Sequence, residues 1–210
     1  MYLSKILLDP ASKRVQNEIS NRYELHRTLL AQFKDAKREK IGLLYRLEAT
    51  NGNEYQPITL LVQTQIAPDW QLWGKQSDLV NQAEVKEFQV DSTPGAKYYF
   101  RLLANPTAKV KQADGKGKRL GLYQPAEQLE WLKRKAGLNG FLPEALNLTD
   151  KGMVESTKKD RGTTYRIKHF AILYEGVLVV TDQHQFSNSM IRGIGSAKAF
   201  GFGLLSLVRV

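Results

Sequence analysis

Two side chains that could move protons, Tyr23 and His26, lie three positions apart in a stretch with a helical pattern. At this spacing they share one flank of a helix, beside an apolar stripe of Leu25, Leu29 and Phe33. Imidazole is the side chain whose ordinary pKa lies closest to neutrality, so one histidine can accept or donate a proton near pH 7. The pattern therefore has two interpretations, a proton-transfer site or a pair of packing residues.

A glycine-rich segment containing Gly193, Gly195 and Lys198 has the composition of a phosphate-binding turn. Glycines in such turns expose consecutive backbone N–H groups, and a nearby ammonium group adds positive charge. A hairpin stabilised by aromatic packing explains the same residues, since short glycine patterns also occur in ordinary turns. The segment alone leaves both interpretations open.

The distribution of charge favours a polyanionic partner. The 210 residues carry a net charge of +10. Residues 1–90 hold 12 Lys and Arg against 11 Asp and Glu, whereas residues 91–210 hold 19 against 10. The second half therefore has a balance of +9, which predicts that it binds a phosphate backbone.

Several other classes of chemistry are disfavoured. The chain has no cysteine, so disulfides and thiolate zinc sites are excluded, and its three histidines share no short ligand spacing. No phosphate-binding loop, HExxH motif or nucleophile elbow is present. We expect no metal and no cofactor. Since no segment resembles a signal peptide or a membrane span, we also expect no membrane association and a cytoplasmic protein.

The order of predicted elements positions these residues. Hydrophobic patterns predict an α+β protein in which β-α-β-β-α-β occurs twice, on either side of a linker at Ser92-Thr-Pro-Gly95. This order is typical of two tandem ferredoxin-like (RRM-like) domains, here residues 1–91 and 96–210. The local predictions are a strand at 2–8, a polar connection at 12–19, a helix from Ser20 or Asn21, a turn at 51–53, a weak helix at 75–82, a basic loop at 109–119, a helix at 125–136, a turn at 175–176 and a helix at 183–192.

Motifs along nearly the whole chain resemble the CasE group of CRISPR-associated endoribonucleases of type I-E systems. Tyr23-Glu-Leu-His26 combined with the glycine-rich segment is the most specific part of the match. The other matching stretches are Met1-Tyr-Leu-Ser-Lys5, Tyr99-Phe-Arg-Leu-Leu-Ala-Asn-Pro106, the helix at 128–135, Tyr174-Glu-Gly-Val-Leu178 and Gly201-Phe-Gly-Leu-Leu-Ser-Leu207.

The resemblance implies that the protein binds the stem-loop of CRISPR repeat RNA and cuts precursor RNA at the base of the stem. The implied reaction is independent of metal and leaves a 2′,3′-cyclic phosphate and a 5′-hydroxyl. The enzyme then keeps the mature CRISPR RNA and remains in the Cascade complex with other subunits. His26 is the implied general acid or base, and Tyr23 would orient it or the scissile phosphate.

Further residues are predicted to bind RNA. Lys158, Lys159 and Arg161 occupy the place of a basic hairpin in the family, and Lys168 falls near a basic family residue. Arg22 and Arg27 lie on the predicted helix of His26, and Gly193, Gly195 and Lys198 would hold phosphates. A subunit that binds an RNA hairpin without cutting it explains the charge and the glycines equally well. A double-stranded DNA binder fits less well, since no helix is lined with Arg, Asn or Gln.

Overall fold

The computed structural model describes residues 1–33, 36–48, 56–73, 78–111, 117–160 and 162–210. The chain divides into two compact units. Unit 1 contains Met1–Gln89, Glu155–Ile167 and Lys198–Gly201, and unit 2 contains Val90–Val154, Lys168–Ala197 and Phe202–Val210. Segments distant in sequence therefore contribute to the same unit.

The elements follow one another as strands and helices of very different length. In chain order they are β1 (Tyr2–Leu8), α1 (Lys13–Ser20), α2 (Arg22–Ala31), α3 (Arg38–Ile41), β2 (Leu44–Leu47), β3 (Ile58–Thr64), a 3₁₀ turn (Trp70–Leu72), β4 (Glu84–Glu87), β5 (Lys97–Ala104), β6 (Thr107–Lys111), β7 (Gly117–Gly121), α4 (Pro125–Leu138), β8 (Phe141–Asp160), β9 (Thr163–Val180), α5 (Gln183–Arg192), a second 3₁₀ turn (Lys198–Phe200) and β10 (Leu205–Arg209).

The sheet of unit 1 has the strand order β2-β3-β1-β4, and the paired strands are antiparallel. Leu25 and Leu29 of helix α2 are buried, and so is Phe33 of the predicted stripe, which lies beyond the end of the helix at Ala31. Leu25 and Leu29 join a core that includes Ile6 on β1 and Tyr45 on β2. Because Leu25 and Leu29 occupy one side of α2, the remaining faces of this helix are free to carry polar side chains.

The second sheet has the order β10-β5-β9-β8, with α4 and α5 in the connections between its strands. Helix α4 begins with a capping box between Gln124 and Glu127, and Asp182 caps the start of α5. Numbered within each repeat, both sheets have the order 4-1-3-2, the order of ferredoxin-like folds. The prediction of two ferredoxin-like sheets in an α+β protein is confirmed.

Four local predictions were wrong. Residues 12–19, predicted as a polar connection, contain most of α1, whose first turn is capped by the Ser12 hydroxyl. In the predicted helix at 75–82, residues 75–77 lie outside the described part of the chain, Asp78 has 3₁₀ geometry, and residues 79–82 form no helix; Leu79 instead makes a β-bridge with Leu8. In the predicted basic loop at 109–119, the described residues 109–111 and 117–119 lie in the paired strands β6 and β7. The predicted turn at 175–176 lies inside β9, where Glu175 and Gly176 pair with β5.

The predicted helices in the second half are confirmed at 125–136, where α4 extends two residues further, and at 183–192. The predicted turn at 51–53 lies outside the described residues. Within the described part of the chain, no helix is both long and apolar enough to cross a membrane.

Candidate active site

The residue that precedes helix α2, Asn21, also forms hydrogen bonds with a strand that is distant in the sequence. Asn21 precedes the helix, and its side-chain amide donates to the carbonyl oxygen and the hydroxyl of Thr157 at 3.1 Å. The backbone N–H of Thr157 donates to the Asn21 side-chain oxygen at 3.2 Å. Asn21 therefore joins the beginning of α2 to the part of β8 that belongs to unit 1.

His26 lies one helical turn after the start of α2 and is half-buried. Its ring faces the ring of Tyr45, with 6.3 Å between the ring centroids and 21° between the planes. The His26 Nδ1 atom is buried and has no hydrogen-bond partner among the described residues. Burial, and secondarily the charge of Arg38, lower the pKa of His26 to about 4. The imidazole is consequently neutral at pH 7 and can accept a proton.

Tyr45 links β2 to the C-terminal 3₁₀ turn. Its hydroxyl lies 3.0 Å from the carbonyl oxygen of Arg22 and 3.0 Å from the carbonyl oxygen of Ala199, so it can donate its one proton to either. Burial raises the pKa of Tyr45, although the neighbouring Arg22 charge opposes that effect. Tyr45 is therefore a neutral donor whose ring contacts His26 and whose hydroxyl fixes the backbone of α2 and of the turn.

Arg22 is the first residue of α2 and stands four positions before His26. At this spacing two helical side chains are neighbours on one face. Its Nη1 atom lies 3.5 Å from the position that a Cβ on Gly201 would occupy, and burial lowers the pKa of Arg22. Among the described residues, no carboxylate forms an ion pair with this guanidinium. A half-buried cation thus begins the helix that carries the neutral imidazole.

The other predicted residues of α2 differ in their surroundings. Tyr23 is half-buried, and its hydroxyl forms no hydrogen bond with a described residue. Arg27 is exposed and forms an ion pair with Glu24 at 2.9 Å. Sequence reasoning therefore found His26, but it did not find Tyr45, the aromatic side chain whose ring faces it.

The basic turn between β8 and β9 belongs to unit 1. Lys158 is partly exposed near the end of β8, and Gly162 forms the turn with φ +81°. Arg161 and the side chain of Lys159 lie outside the described residues. The backbone position of the turn agrees with the predicted hairpin between two strands.

The glycine-rich segment divides between the two units. Lys198 belongs to unit 1, where the turn Lys198–Phe200 packs against α2 and β2. Gly193 and Gly195 belong to unit 2, as does Lys168, which is exposed on β9. The structure therefore groups Lys198 with Arg22, Tyr23 and His26, and it places the other three in the second unit.

Internal contacts already occupy part of the predicted phosphate-binding turn. The N–H of Gly193 donates to the carbonyl oxygen of Ser189 at 2.8 Å and ends α5. Gly195 has φ +86°, and a Cβ there would lie 3.1 Å from the ring of Trp131. Both glycines thus have structural reasons for their identity, and the Gly193 N–H is unavailable to a phosphate unless the end of α5 opens.

No group of three or more metal-ligating side chains occurs among the described residues. Unit 2 contains a second half-buried histidine, His169, whose ring lies 5.7 Å from that of Phe202. Burial lowers the pKa of His169 as well. His26 differs from it by having a cationic side chain, Arg22, one helical turn away on the same helix.

Comparison with known proteins places these features in a family. Residues 1–209 match the family model described as CRISPR associated protein. The chain is 36% identical to the CRISPR-associated endoribonuclease Cse3 of Thermus thermophilus, with 99% of each chain covered. It is 30% identical to the CRISPR system Cascade subunit CasE of Escherichia coli, covering 99% of this chain and 98% of the relative. A solved structure of Cse3 bound to a 19-nucleotide RNA superposes with a TM-score of 0.86 at 35% identity, covering 99% of this chain and 100% of that one.

Proposed function

Because this chain belongs to the family of CRISPR-associated proteins, we propose that it is an endoribonuclease that binds the stem-loop of CRISPR repeat RNA and cuts precursor RNA at the base of the stem. The observation that carries the proposal is a neutral imidazole, His26, one turn along α2 from Arg22, whose guanidinium forms no ion pair with a described residue. RNA supplies its own nucleophile, the 2′-hydroxyl, so the protein has only to move protons and stabilise charge.

In the proposed reaction, His26 accepts the proton of the 2′-hydroxyl as its oxygen attacks the adjacent phosphorus. The bond from phosphorus to O5′ breaks, O5′ takes up a proton from water, and the imidazolium of His26 then releases its proton to the solvent. The products are a 2′,3′-cyclic phosphate and a 5′-hydroxyl, and no metal takes part. A low pKa in the free protein supports the role of base, because the imidazole is then unprotonated before RNA binds. An RNA phosphate close to the ring would raise the pKa of His26 toward the working pH. Tyr23 would orient the imidazole or the scissile phosphate.

RNA binding is proposed for the cationic residues predicted from the sequence. In unit 1 these are Arg22, Arg27, Lys158, Lys159, Arg161 and Lys198. In unit 2 the proposal concerns Lys168, Gly193 and Gly195. The net charge of +10 supports a phosphate-rich partner.

After cleavage, the protein would keep the mature CRISPR RNA and remain with other subunits of Cascade, in the cytoplasm. The E. coli relative is named as a Cascade subunit, which supports this assembly. The proposal retains the two domains at 1–91 and 96–210, separated by the linker around Ser92.

Cleavage of a labelled repeat hairpin in EDTA tests the proposed function. The wild type should yield a product with a 2′,3′-cyclic phosphate end. A hairpin with deoxyribose just 5′ of the scissile phosphate should bind and stay intact, because it lacks the nucleophile. Efficient cutting of the deoxy substrate, or a strict requirement for magnesium, would contradict the mechanism.

The variant His26→Ala separates catalysis from binding in the same assay. Its single-turnover rate should fall by about 10²–10⁴-fold, the usual contribution of a general acid or base, while the hairpin is still bound. A subunit that only binds RNA would give no cleavage with the wild type, and equal rates for the wild type and His26→Ala would remove His26 from the reaction.

A further inference from the structure

We propose that Arg22 is a catalytic residue whose guanidinium binds the non-bridging oxygens of the scissile phosphate and stabilises the charge that develops there during cleavage. This inference rests on the proposed endoribonuclease function. It goes beyond general RNA binding, because it assigns Arg22 to the transition state and predicts a loss of rate with little loss of affinity.

The position of Arg22 follows from three contacts within unit 1. It lies four residues before His26, so the two side chains extend from one face of α2. Its carbonyl oxygen accepts a hydrogen bond from Tyr45, whose ring faces the imidazole. Its Nη1 atom lies 3.5 Å from the position that a Cβ on Gly201 would occupy, so the guanidinium is a neighbour of the 3₁₀ turn at Lys198–Phe200. The same tyrosine therefore contacts both the backbone of Arg22 and the ring of His26.

Arg22 also differs in its charge environment from Arg14 and Arg46, two other arginines of unit 1. The buried side chain of Arg46 forms an ion pair with Glu48 at 2.6 Å, and Arg14 pairs with Glu18 at 3.0 Å and Asp78 at 3.2 Å. Arg22, in contrast, forms no ion pair with a carboxylate of the described residues. A half-buried cation without a counter-charge is costly, and an anionic ligand would offset that cost.

The chemistry of the reaction requires such a cation. As the 2′-oxygen bonds to phosphorus and the bond to O5′ breaks, negative charge accumulates on the non-bridging oxygens. His26 takes the proton of the nucleophile and leaves this charge unneutralised. A guanidinium stays protonated throughout and can donate two parallel hydrogen bonds to phosphate oxygens.

The test uses Arg22→Gln and Arg22→Lys in the full-length protein with a labelled repeat hairpin in EDTA. At saturating protein, the single-turnover rate of Arg22→Gln should fall by about 10²–10³-fold, as for the loss of one donor to a developing oxyanion. The dissociation constant should change by only a few-fold, and Arg22→Lys should recover part of the rate. The matched control is Lys13→Gln, which removes an exposed cation of α1 and should cleave at the wild-type rate.

Two further readouts distinguish a catalytic from a structural role. Replacing one non-bridging oxygen of the scissile phosphate by sulfur should slow the wild type for at least one stereoisomer, whereas Arg22→Gln should cut both isomers and the oxygen substrate at similar rates. The melting temperature of Arg22→Gln should equal or exceed that of the wild type, because an unpaired buried charge is removed.

Wild-type rates with Arg22→Gln, or the same sulfur effect in both proteins, would overturn the inference and leave the proposed function standing. A lowered melting temperature together with an unchanged sulfur effect would also overturn it, by showing that Arg22 is structural. If the wild type cut no RNA at all, the proposed function would fail and the role of Arg22 with it.

Discussion

The hydroxyl of Tyr45 lies 3.0 Å from the carbonyl oxygen of Ala199, although the two residues are 154 positions apart in the sequence. This contact attaches the C-terminal 3₁₀ turn to the strand whose aromatic ring faces His26. The candidate site therefore depends on a hydrogen bond formed by a residue outside the catalytic motif.

Tyr45→Phe keeps the aromatic ring and removes that hydrogen bond. We expect the free energy of unfolding to fall by about 1–2 kcal/mol, because the carbonyl oxygens of Arg22 and Ala199 lose their donor. We also expect slower single-turnover cleavage, since the turn no longer fixes the start of α2. Denaturant titration and hairpin cleavage measure the two effects.

The matched control for Tyr45 is Tyr174→Phe in unit 2. The buried Tyr174 hydroxyl likewise donates to a backbone carbonyl, that of Gln128, at 3.0 Å. This variant should lose similar stability but retain the cleavage rate of its folded fraction. Equal losses of rate in both variants would show that the effect of Tyr45 is stability alone.

The lowered pKa of His26 predicts a dependence of stability on pH. The native pKa is about 4 and the ordinary value is 6.5, so between these values the unfolded chain binds more protons than the native protein. The contribution of His26 to the free energy of unfolding is therefore fully present above pH 6.5, and it is lost as the pH falls toward 4. The size of this contribution is at most about 3 kcal/mol, and partial exposure reduces it.

Subtracting the unfolding free energies of His26→Gln from those of the wild type isolates this effect, since His169 titrates in both proteins. As the pH falls from 6.5 to 4, the unfolding free energy of the wild type should decrease relative to that of His26→Gln. A flat difference curve would mean that burial does not hold the imidazole in its neutral form.

Gly201→Ala should damage the site through two separate effects. Gly201 has φ +84°, which disfavours any side chain, and a Cβ would lie 3.1 Å from the ring of Tyr45. We expect a stability loss of about 2 kcal/mol or more, together with reduced cleavage. Gly95→Ala is the control, because Gly95 has φ +91° with nothing within 4 Å. If Gly95→Ala were equally destabilised, the loss at Gly201 would come from the backbone alone.

The basic turn should contribute affinity and little rate. Replacing Lys158, Lys159 and Arg161 by alanine should weaken hairpin binding and flatten its salt dependence, because fewer counterions are released. Substituting Lys109, Lys111 and Lys118 removes as many charges from strands β6 and β7. A larger change in salt slope from this second set would locate the main phosphate contacts on β6 and β7.

The sequence predicted elements whose signals are local. The stripe of Leu25, Leu29 and Phe33 indicated α2, and the residues of α5 were predicted without error. Helix α1 was missed because its apolar content is low, although Ser12 is a good N-cap and Val15 is buried. Gly176 looked like a turn, yet a side chain at this position of β9 would collide with the carbonyl oxygen of Ala145. Glycine is required at this position because two strands approach each other closely, and a local sequence pattern does not reveal such an approach.

The candidate site was predicted only where its residues are neighbours in the sequence. Tyr23-Glu-Leu-His26 provided the histidine, whereas the contacts of Tyr45 with His26 and Ala199 join residues from separate segments. Likewise, the position of Arg22 Nη1 beside Gly201 depends on how the chain returns to α2. Such contacts arise from tertiary packing between segments that are far apart in the chain, so no characteristic residue spacing in the sequence predicts them.

The membership of Lys198–Gly201 in the same unit as Met1–Gln89 has a consequence for biosynthesis. A ribosome releases the strand with Tyr45 and the helix with His26 early, but the turn that receives the Tyr45 hydrogen bond is translated long afterwards. The nascent chain therefore cannot complete this contact until residues 198–201 have been translated. Chains that stop before Lys198 lack the turn that the Tyr45 hydroxyl contacts.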